Sequence, residues 1–376
     1  MHDSEKVYRG HKALNNSLLG CGTLEETRKY HSPEEREKNK DKEHFRKGLY
    51  TDCMLLTPEC LEEDHIIAKD VNEYSHPAIL IKEWISRGHK TWNSVAMEII
   101  SNEPLYKDAK LWGNTKDTVK RIENFDKPEW HDYFNLKLGT KNWITEKEKI
   151  IIDNGVNRLT TNIVTAKYFS NIEDGFEHIN QMYVVAELEL TVAIEDTFGI
   201  LATMPERYIV EDGVCTKVFI KGLFDKVRID HTNKKIKPAD LKTSSKPVAE
   251  NFSLKSFLDY GYFKQGAIYT YLLKIWAKEN YPDYTIEPFE FVVVNLADSK
   301  EDPEVFVVDE ETLKFGMSGG TLFGKYYKGI TRLCEEYARQ EATGQWYLTP
   351  YQFEQKQKDN KLTIKLPVSL DLNYTA

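Results

Sequence analysis

The sequence predicts a single α/β domain in which one sheet lies among many helices. Strand-like alternation runs from about residue 182 to 246, a run rich in β-branched residues follows near residue 290, and helical spacing precedes and follows these strands. Hydrophobic residues are 40% of the 376 residues and charged residues 30%, as in ordinary globular proteins. No internal repeat or low-complexity linker divides the chain, which favours one elaborated domain over two.

Charge and cysteine content exclude several functional classes. The net charge of -9 argues against a protein that coats nucleic acid indiscriminately, although a local basic channel remains compatible with it. The five cysteines contain no CxxC pair, so neither a disulfide framework nor a structural zinc site is indicated. No apolar run approaches the roughly 20 residues of a membrane span. We therefore expect a cytoplasmic protein without membrane contact.

Composition and pattern divide the chain into successive parts. We expect a polar, helical segment over residues 1–47 and an irregular tail over 351–376. The domain proper spans 48–350. Within it, 48–180 should be mostly helical, 181–300 should contain the sheet and its principal helix, and 301–350 should contain the C-terminal helices.

A buried helix is predicted over GLYTDCMLLTPEC, with its end near Pro58. This helix carries Asp52. A polar residue in such a position is either a surface or capping group or a member of a site, and the local pattern leaves both readings open.

The first strand of a predicted pair begins at Phe219. Alternation places a mainly apolar set on one of its faces, namely Phe219, Leu223, Asp225, Val227 and Ile229. Asp225 therefore lies in an apolar row, where a carboxylate needs a partner.

The second strand carries Ile236, Asp240 and Lys242 on one face in the same way. A reversal centred on residues 232 and 233 places Asp225 directly opposite Asp240. Like charges so placed destabilise a strand pair unless a cation lies between them. A divalent metal bound by carboxylate oxygens is the economical candidate, with Lys242 beside it to meet a negatively charged substrate. An exposed, salt-bridged strand edge would produce the same short pattern.

Other elements accompany this pair in a fixed order. The preceding strand carries Glu187 and Glu189 on one side, and a strong helix from Ser253 to Lys278 follows. Gln265 and Tyr269 are neighbours on that helix because they are four residues apart. EPFEFVVVNLAD predicts a buried strand, and the helices after it are interrupted at Gly319-Gly320.

The segments GLFD and PADLKTSS, with the later QGAIY, resemble the PD-(D/E)XK nuclease superfamily and its RecB-like branch, especially phage-type recombination exonucleases. Asn16-Ser17-Leu18-Leu19 is similar to the family's opening Ser-x-Leu helix, and residues 48–59 are similar to its leucine-rich run that ends in Pro-Glu. The resemblance covers most of residues 17–346, with 114–142 unmatched.

The resemblance implies a restriction-endonuclease-like core, a central mixed sheet flanked by helices with a helical N-terminal elaboration. It implies a Mg²⁺ cofactor, which Mn²⁺ can replace, held by Asp225, Asp240 and the backbone carbonyl of Leu241. Lys242 would serve the attacking water. Gln265 and Tyr269 would support the site or contact DNA, and so would one of the two glutamates, Glu187 or Glu189.

One departure concerns Asp52, which stands where the family has a metal-binding histidine. Aspartate is an acceptable oxygen ligand for magnesium, so the resemblance makes Asp52 a candidate ligand. The exchange also leaves a second reading open, namely a DNA-binding or assembly protein that has lost cleavage.

The function implied by the resemblance is a metal-dependent DNA exonuclease that resects duplex ends for recombination by single-strand annealing. The family also implies a homo-oligomer and a single-strand annealing protein as partner, in the cytoplasm of a bacterial or phage-infected cell. An endonuclease or nickase of the same fold remains an alternative.

Candidate phosphate contacts, by their position in the sequence, are Lys246, Lys255 and Lys264.

Overall fold

The computed structural model describes residues 3–20, 42–68, 75–94, 126–139, 141–169, 175–193 and 204–343. The predicted tail of residues 351–376 lies outside these ranges. So do most of the charged run in the N-terminal segment and the first part of the unmatched stretch, up to residue 125.

The described α-helices are mostly short, and in the chain they lie before the large sheet, between two of its strands, Lys235–Ser244 and Thr285–Ile286, and after its last strand. In chain order they are α1 (Asp3–Gly10), α2 (Asn16–Leu19), α3 (Glu43–Leu56), α4 (Leu61–Asp64), α5 (His76–Ser86), α6 (Pro128–Leu138), α7 (Glu146–Thr161), α8 (Ala166–Phe169), α9 (Val248–Asn251), α10 (Phe257–Asp259), α11 (Tyr262–Asn280), α12 (Glu310–Ser318) and α13 (Ile330–Thr343). None of them is both long and apolar enough to span a membrane.

The described strands form one large sheet and two small ones. They are β1 (His65–Ala68), β2 (Asn142–Thr145), β3 (Phe176–Ala193), β4 (Tyr208–Glu211), β5 (Val214–Asp230), β6 (Lys235–Ser244), β7 (Thr285–Ile286), β8 (Phe289–Asn295), β9 (Glu304–Val308), β10 (Gly319–Leu322) and β11 (Lys325–Lys328).

The large sheet has seven strands in the order β3-β5-β6-β8-β9, with β4 added beside β5 and β7 beside β6. It is mixed, because β6 runs parallel to β7 and β8 while the other pairs are antiparallel. The predicted fold class, α/β with a central mixed sheet flanked by helices, is confirmed.

Helices cover both faces of this sheet. Alternate residues of β8 go to opposite sides, since Phe291 and Val293 join one buried cluster and Val292 and Val294 join another. The first cluster includes apolar side chains of α2, α11 and α13, and the second includes those of α3 and α7. The strands in the middle of the sheet are therefore buried on both faces, which explains their almost continuous apolar sequence.

The predicted reversal between β5 and β6 is confirmed. The register pairs Asp230 with Lys235 and continues to Lys226 with Ala239. Asp225 and Asp240 are the next two residues beyond this last pair. The pairing of β5 with β6 ends there, and farther along β5 Leu14 of the N-terminal segment bridges to Ile220.

The predicted common face of β5 is wrong. Val227 and Ile229 lie in the same cluster as Phe224, whereas the predicted face required Leu223 instead. Between Phe224 and Val227, β5 therefore exchanges the face that it buries in this cluster. The neighbouring strand β3 exchanges its buried face at the same level, at Gln181, whose φ is 50°. The left-handed backbone at Gln181 accompanies this change, and Asp225 lies at the same level.

Two predicted helices differ from the observed elements. The helix expected from Ser253 to Lys278 is interrupted at Gly261, which has φ of 68°, and α11 begins only after it. The interruption expected at Gly319-Gly320 is a complete β-hairpin, β10 and β11, between α12 and α13. Both differences arise at glycines, where the backbone takes conformations that helices do not use.

Candidate active site

Two carboxyl groups meet where the pairing of β5 with β6 ends. Asp240 is only 2% exposed, and Asp225 accepts a 2.9 Å hydrogen bond from the backbone N–H of Leu241 through Oδ2. The Asp240 charge acts directly on the carboxyl group of Asp225. The structure therefore brings together the pair that the register predicted.

Burial changes the proton affinity of both groups. Burial raises the pKa of Asp225 well above its usual range, and the neighbouring charges of Asp240 and Asp52 raise it further. Burial also raises the pKa of Asp240, although Lys242 and Gln265 act in the opposite direction. Two neighbouring carboxylates repel each other, so protonation of one of them or a cation beside them is favourable. The pair is thus a site that takes up a proton or another cation.

Lys242 pairs with Asp240 through its ammonium group. Burial alone would lower the pKa of Lys242, but the adjacent carboxylates of Asp240 and Asp225 raise it above its usual range. The Lys242 Nζ also lies 5.3 Å from the centroid of the Tyr262 ring, a cation–π distance. In this setting the side chain is a fixed ammonium, suited to neutralising charge and donating hydrogen bonds.

Helix α11 supports the pair, as its two predicted residues indicate. Gln265 donates a 2.7 Å hydrogen bond from Nε2 to Asp240 Oδ1. One turn on, the Tyr269 hydroxyl donates to the backbone carbonyl of Leu223 at 2.9 Å. Gln265 therefore orients the carboxylate of Asp240. Tyr269 holds α11 against β5, close to the point where the pairing of β5 with β6 ends.

Asp52 lies on α3, which packs against the face of the sheet opposite to the face that α11 covers. Its charge raises the pKa of Asp225, so the two groups are electrostatic neighbours. Asp52 thus belongs to the surroundings of the pair. The predicted end of this helix is also confirmed, because α3 ends at Leu56, shortly before Pro58.

The structure places the two glutamates elsewhere. Glu187 lies six residues along β3 from Gln181, about 20 Å at the rise of a strand. It forms a 2.6 Å ion pair with Lys217, and Glu189 is an exposed residue on the same side of the strand. Neither side chain is brought to the carboxylate pair.

The backbone of Leu241 faces the pair. A residue in a strand directs its N–H and C=O to the same edge. Because the Leu241 N–H donates to Asp225, its carbonyl also points to the β5 side. The predicted contribution of this carbonyl is therefore sterically consistent with the observed strand.

Two residues in contact with the site were missed from the sequence. Gln181 donates a 3.3 Å hydrogen bond from Nε2 to Asp225 Oδ1, and Tyr262 flanks Lys242. A signal for Gln181 existed, since the two polar residues between Ile179 and Met182 break the alternation of β3. Tyr262 had no such signal, because it reaches Lys242 through the packing of α11 on the sheet.

The side chains around the pair suit a hard divalent cation in charge and donor type. Three carboxyl groups and one ammonium leave an excess of negative charge, and all candidate ligands are oxygens. Within the described ranges, however, no group of three or more His, Cys, Asp or Glu side chains is arranged to hold a metal ion. Magnesium commonly takes one or two carboxylates and completes its shell with water and substrate phosphate, so two aspartates and a carbonyl are a sufficient set.

Comparison with known proteins gives no independent assignment. No family model matches the chain, and no curated protein matches it significantly.

Proposed function

We propose that this chain is a metal-dependent deoxyribonuclease with a restriction-endonuclease-like core. The observation that carries the proposal is the pair formed by the buried Asp240 and the half-buried Asp225, opposed where the pairing of β5 and β6 ends and flanked by Lys242. A pair of carboxyl groups that holds a cation beside a fixed ammonium matches what phosphodiester hydrolysis requires. The resemblance of GLFD, PADLK and QGAIY to nuclease motifs supports the same assignment.

In the proposed reaction Asp225, Asp240 and the Leu241 carbonyl would hold Mg²⁺. The metal, when bound, would supply a water made nucleophilic at neutral pH and an electrophile for the phosphate. Lys242 would donate a hydrogen bond to the attacking water or to the scissile phosphate and offset the charge that develops there. Gln265 would keep Asp240 oriented, and Gln181 would do the same for Asp225.

The type of DNA cleavage is proposed from the resemblance to recombination exonucleases. On that basis the chain resects duplex ends, works as a homo-oligomer and hands single strands to an annealing protein. The rival candidate, a DNA-binding protein without cleavage, has its support in Asp52 at the family's histidine position.

The proposal is tested by incubating purified protein with linear duplex DNA and with covalently closed circular DNA, each in Mg²⁺ or in EDTA. We expect linear DNA to be digested in Mg²⁺ alone and circular DNA to stay intact. Digestion of circles would indicate the endonuclease alternative. Retention of DNA without digestion of any substrate, also with Mn²⁺, would favour the binding protein and contradict the nuclease proposal.

A further inference from the structure

The β10–β11 hairpin, Gly319–Lys328, is a separate two-stranded sheet between α12 and α13. Leu322 pairs with Lys325, so its loop consists of Phe323 and Gly324 alone. Both loop residues have positive φ, 51° and 74° respectively. This combination defines a type I′ turn.

Phe323 is an unfavourable residue for this turn. The first position of a type I′ turn favours Asn, Asp or Gly, because a bulky L-residue is strained at positive φ. Among the described residues, the two-residue loop that joins β4 to β5 follows that preference, with Asp212 and Gly213 at φ of 50° and 77°. Packing does not compensate the strain, since Phe323 is 75% exposed. Strain without internal benefit indicates a contact outside the fold.

The surroundings of Phe323 show which chemistry that contact has. Tyr326, on β11, is 58% exposed and adds a second aromatic surface. Lys325 is exposed on the same strand. Lys328, also exposed, pairs with Glu336 at 2.6 Å and lies close enough to Lys264 for their charges to interact. Exposed aromatic rings interleaved with lysines are typical of surfaces that stack nucleobases and neutralise phosphates. A single strand offers its base faces for such stacking along its whole length, whereas a duplex offers only the faces of its terminal pairs.

The base of the hairpin is held rigidly. A Cβ atom at Gly319 would collide with the carbonyl of Tyr327, and one at Gly329 would collide with the backbone of Gly319. The two ends of the hairpin therefore touch through their backbones. Phe323 and Tyr326 are carried by a well-defined element and not by an irregular loop.

This rigid element packs on the first turn of α11, the helix that also carries Gln265. The ring of Tyr327 lies 5.9 Å from the ring of Phe263, the second residue of α11. The residue before it, Tyr262, flanks Lys242, and two residues after it Gln265 bonds to Asp240. From Tyr327 to Lys325, the residue that follows the turn, β11 spans about 7 Å. A DNA strand in contact with both the hairpin and the pair would need only a few nucleotides between the two contacts.

We propose that the β10–β11 hairpin is a single-strand DNA contact of the nuclease, in which Phe323 and Tyr326 stack on bases and Lys325 meets a phosphate. The choice of DNA as the ligand rests on the proposed function. The hairpin then grips the single strand next to the site of cleavage.

The test measures binding without cleavage, so that it is independent of catalysis. Fluorescence anisotropy in EDTA, with a labelled oligothymidylate, compares the wild type with Phe323→Asn, Phe323→Trp and Ile163→Asn. Asn restores the preferred turn residue and removes the ring, Trp keeps a stacking surface, and Ile163 is an exposed apolar residue outside the hairpin.

We expect Phe323→Asn to weaken single-strand binding about fivefold or more, the loss typical of one stacked base. Its melting temperature should be equal to or higher than that of the wild type, because Asn-Gly suits the turn. Phe323→Trp and Ile163→Asn should retain wild-type affinity.

Unchanged affinity in Phe323→Asn would overturn the proposal. So would a smaller sedimentation coefficient of the DNA-free Phe323→Asn protein, which would identify the hairpin as a contact between copies of the chain. Failure of the nuclease proposal would look different, since Mg²⁺ would then produce no digestion while the hairpin variants still differed in binding.

Discussion

At the scale of single residues, the state of Lys242 decides what it can contribute beside the carboxylate pair. Its ammonium is paired with Asp240 and its pKa lies above the usual range of lysine, because Asp240 and Asp225 outweigh the effect of burial. A lysine in this state donates hydrogen bonds and positive charge and does not accept a proton at neutral pH. In the proposed reaction this lysine therefore has an electrostatic role.

Replacement of this lysine gives a prediction. Lys242→Met keeps the length of the side chain and removes its charge, so digestion of linear duplex in Mg²⁺ should slow by about 10²-fold or more. Lys234→Met, at a lysine that is 58% exposed, should digest at the wild-type rate. Initial rates of nucleotide release check both variants, with melting temperatures to verify folding. A Lys242→Met protein that digests DNA normally would remove this lysine from the mechanism.

At the scale of elements, a buried acid joins α13 to β4. The Tyr208 hydroxyl donates a 2.5 Å hydrogen bond to Glu341, and Arg207 lies 3.6 Å from the same carboxylate. Burial raises the pKa of Glu341 above its usual value, although Arg207 and Tyr208 act against the rise. Ionised Glu341 consequently costs stability, because its carboxylate is more favourable in the unfolded chain.

The direction of the pH dependence follows from this shift. An acid whose pKa is higher in the folded protein contributes stability at low pH, and that contribution disappears as the pH rises through its folded pKa. Glu341→Gln cannot ionise and keeps an acceptor for Tyr208. The free energy of unfolding of Glu341→Gln, relative to the wild type, should therefore increase between pH 5 and pH 8.

Urea denaturation at both pH values measures this difference. Glu310→Gln serves as the control, because Lys314 lowers the pKa of Glu310 and its contribution is already complete at pH 5. A relative stability of Glu341→Gln that stays constant or falls with pH would contradict the assignment.

The features that could be predicted are those that local sequence patterns determine. The β5–β6 register and the neighbouring Gln265 and Tyr269 followed from strand alternation, a short reversal and helical periodicity. The change of the buried face near Asp225 depends on two strands turning together at Gln181, a non-local event. Tyr262 likewise reaches Lys242 only because α11 packs on the sheet.

At the scale of the whole molecule, the charge of the chain opposes its proposed substrate. The net charge is -9, and the carboxylate pair adds a concentrated negative site within the core. A bound divalent cation would offset this charge locally and stabilise the folded protein, because the unfolded chain offers no such site.

We therefore expect the melting temperature of the wild type to rise with Mg²⁺ concentration at constant ionic strength. Asp225→Asn should show a much smaller rise, since the amide is a poorer ligand and the charge of the pair is reduced. Differential scanning calorimetry measures both proteins, and Asp283→Asn, at a side chain that is 79% exposed, is the matched control. Equal increases in all three proteins would place the effect of the cation elsewhere.

The central claim is that Asp225 and Asp240 form a metal-dependent nuclease centre. The most direct measurement is the initial rate at which Asp240→Asn and the wild type release nucleotides from linear duplex DNA in Mg²⁺. The account predicts that the wild type digests the DNA and that Asp240→Asn is slower by about 10²-fold or more. Equal rates for the two proteins, with both folded, would contradict it.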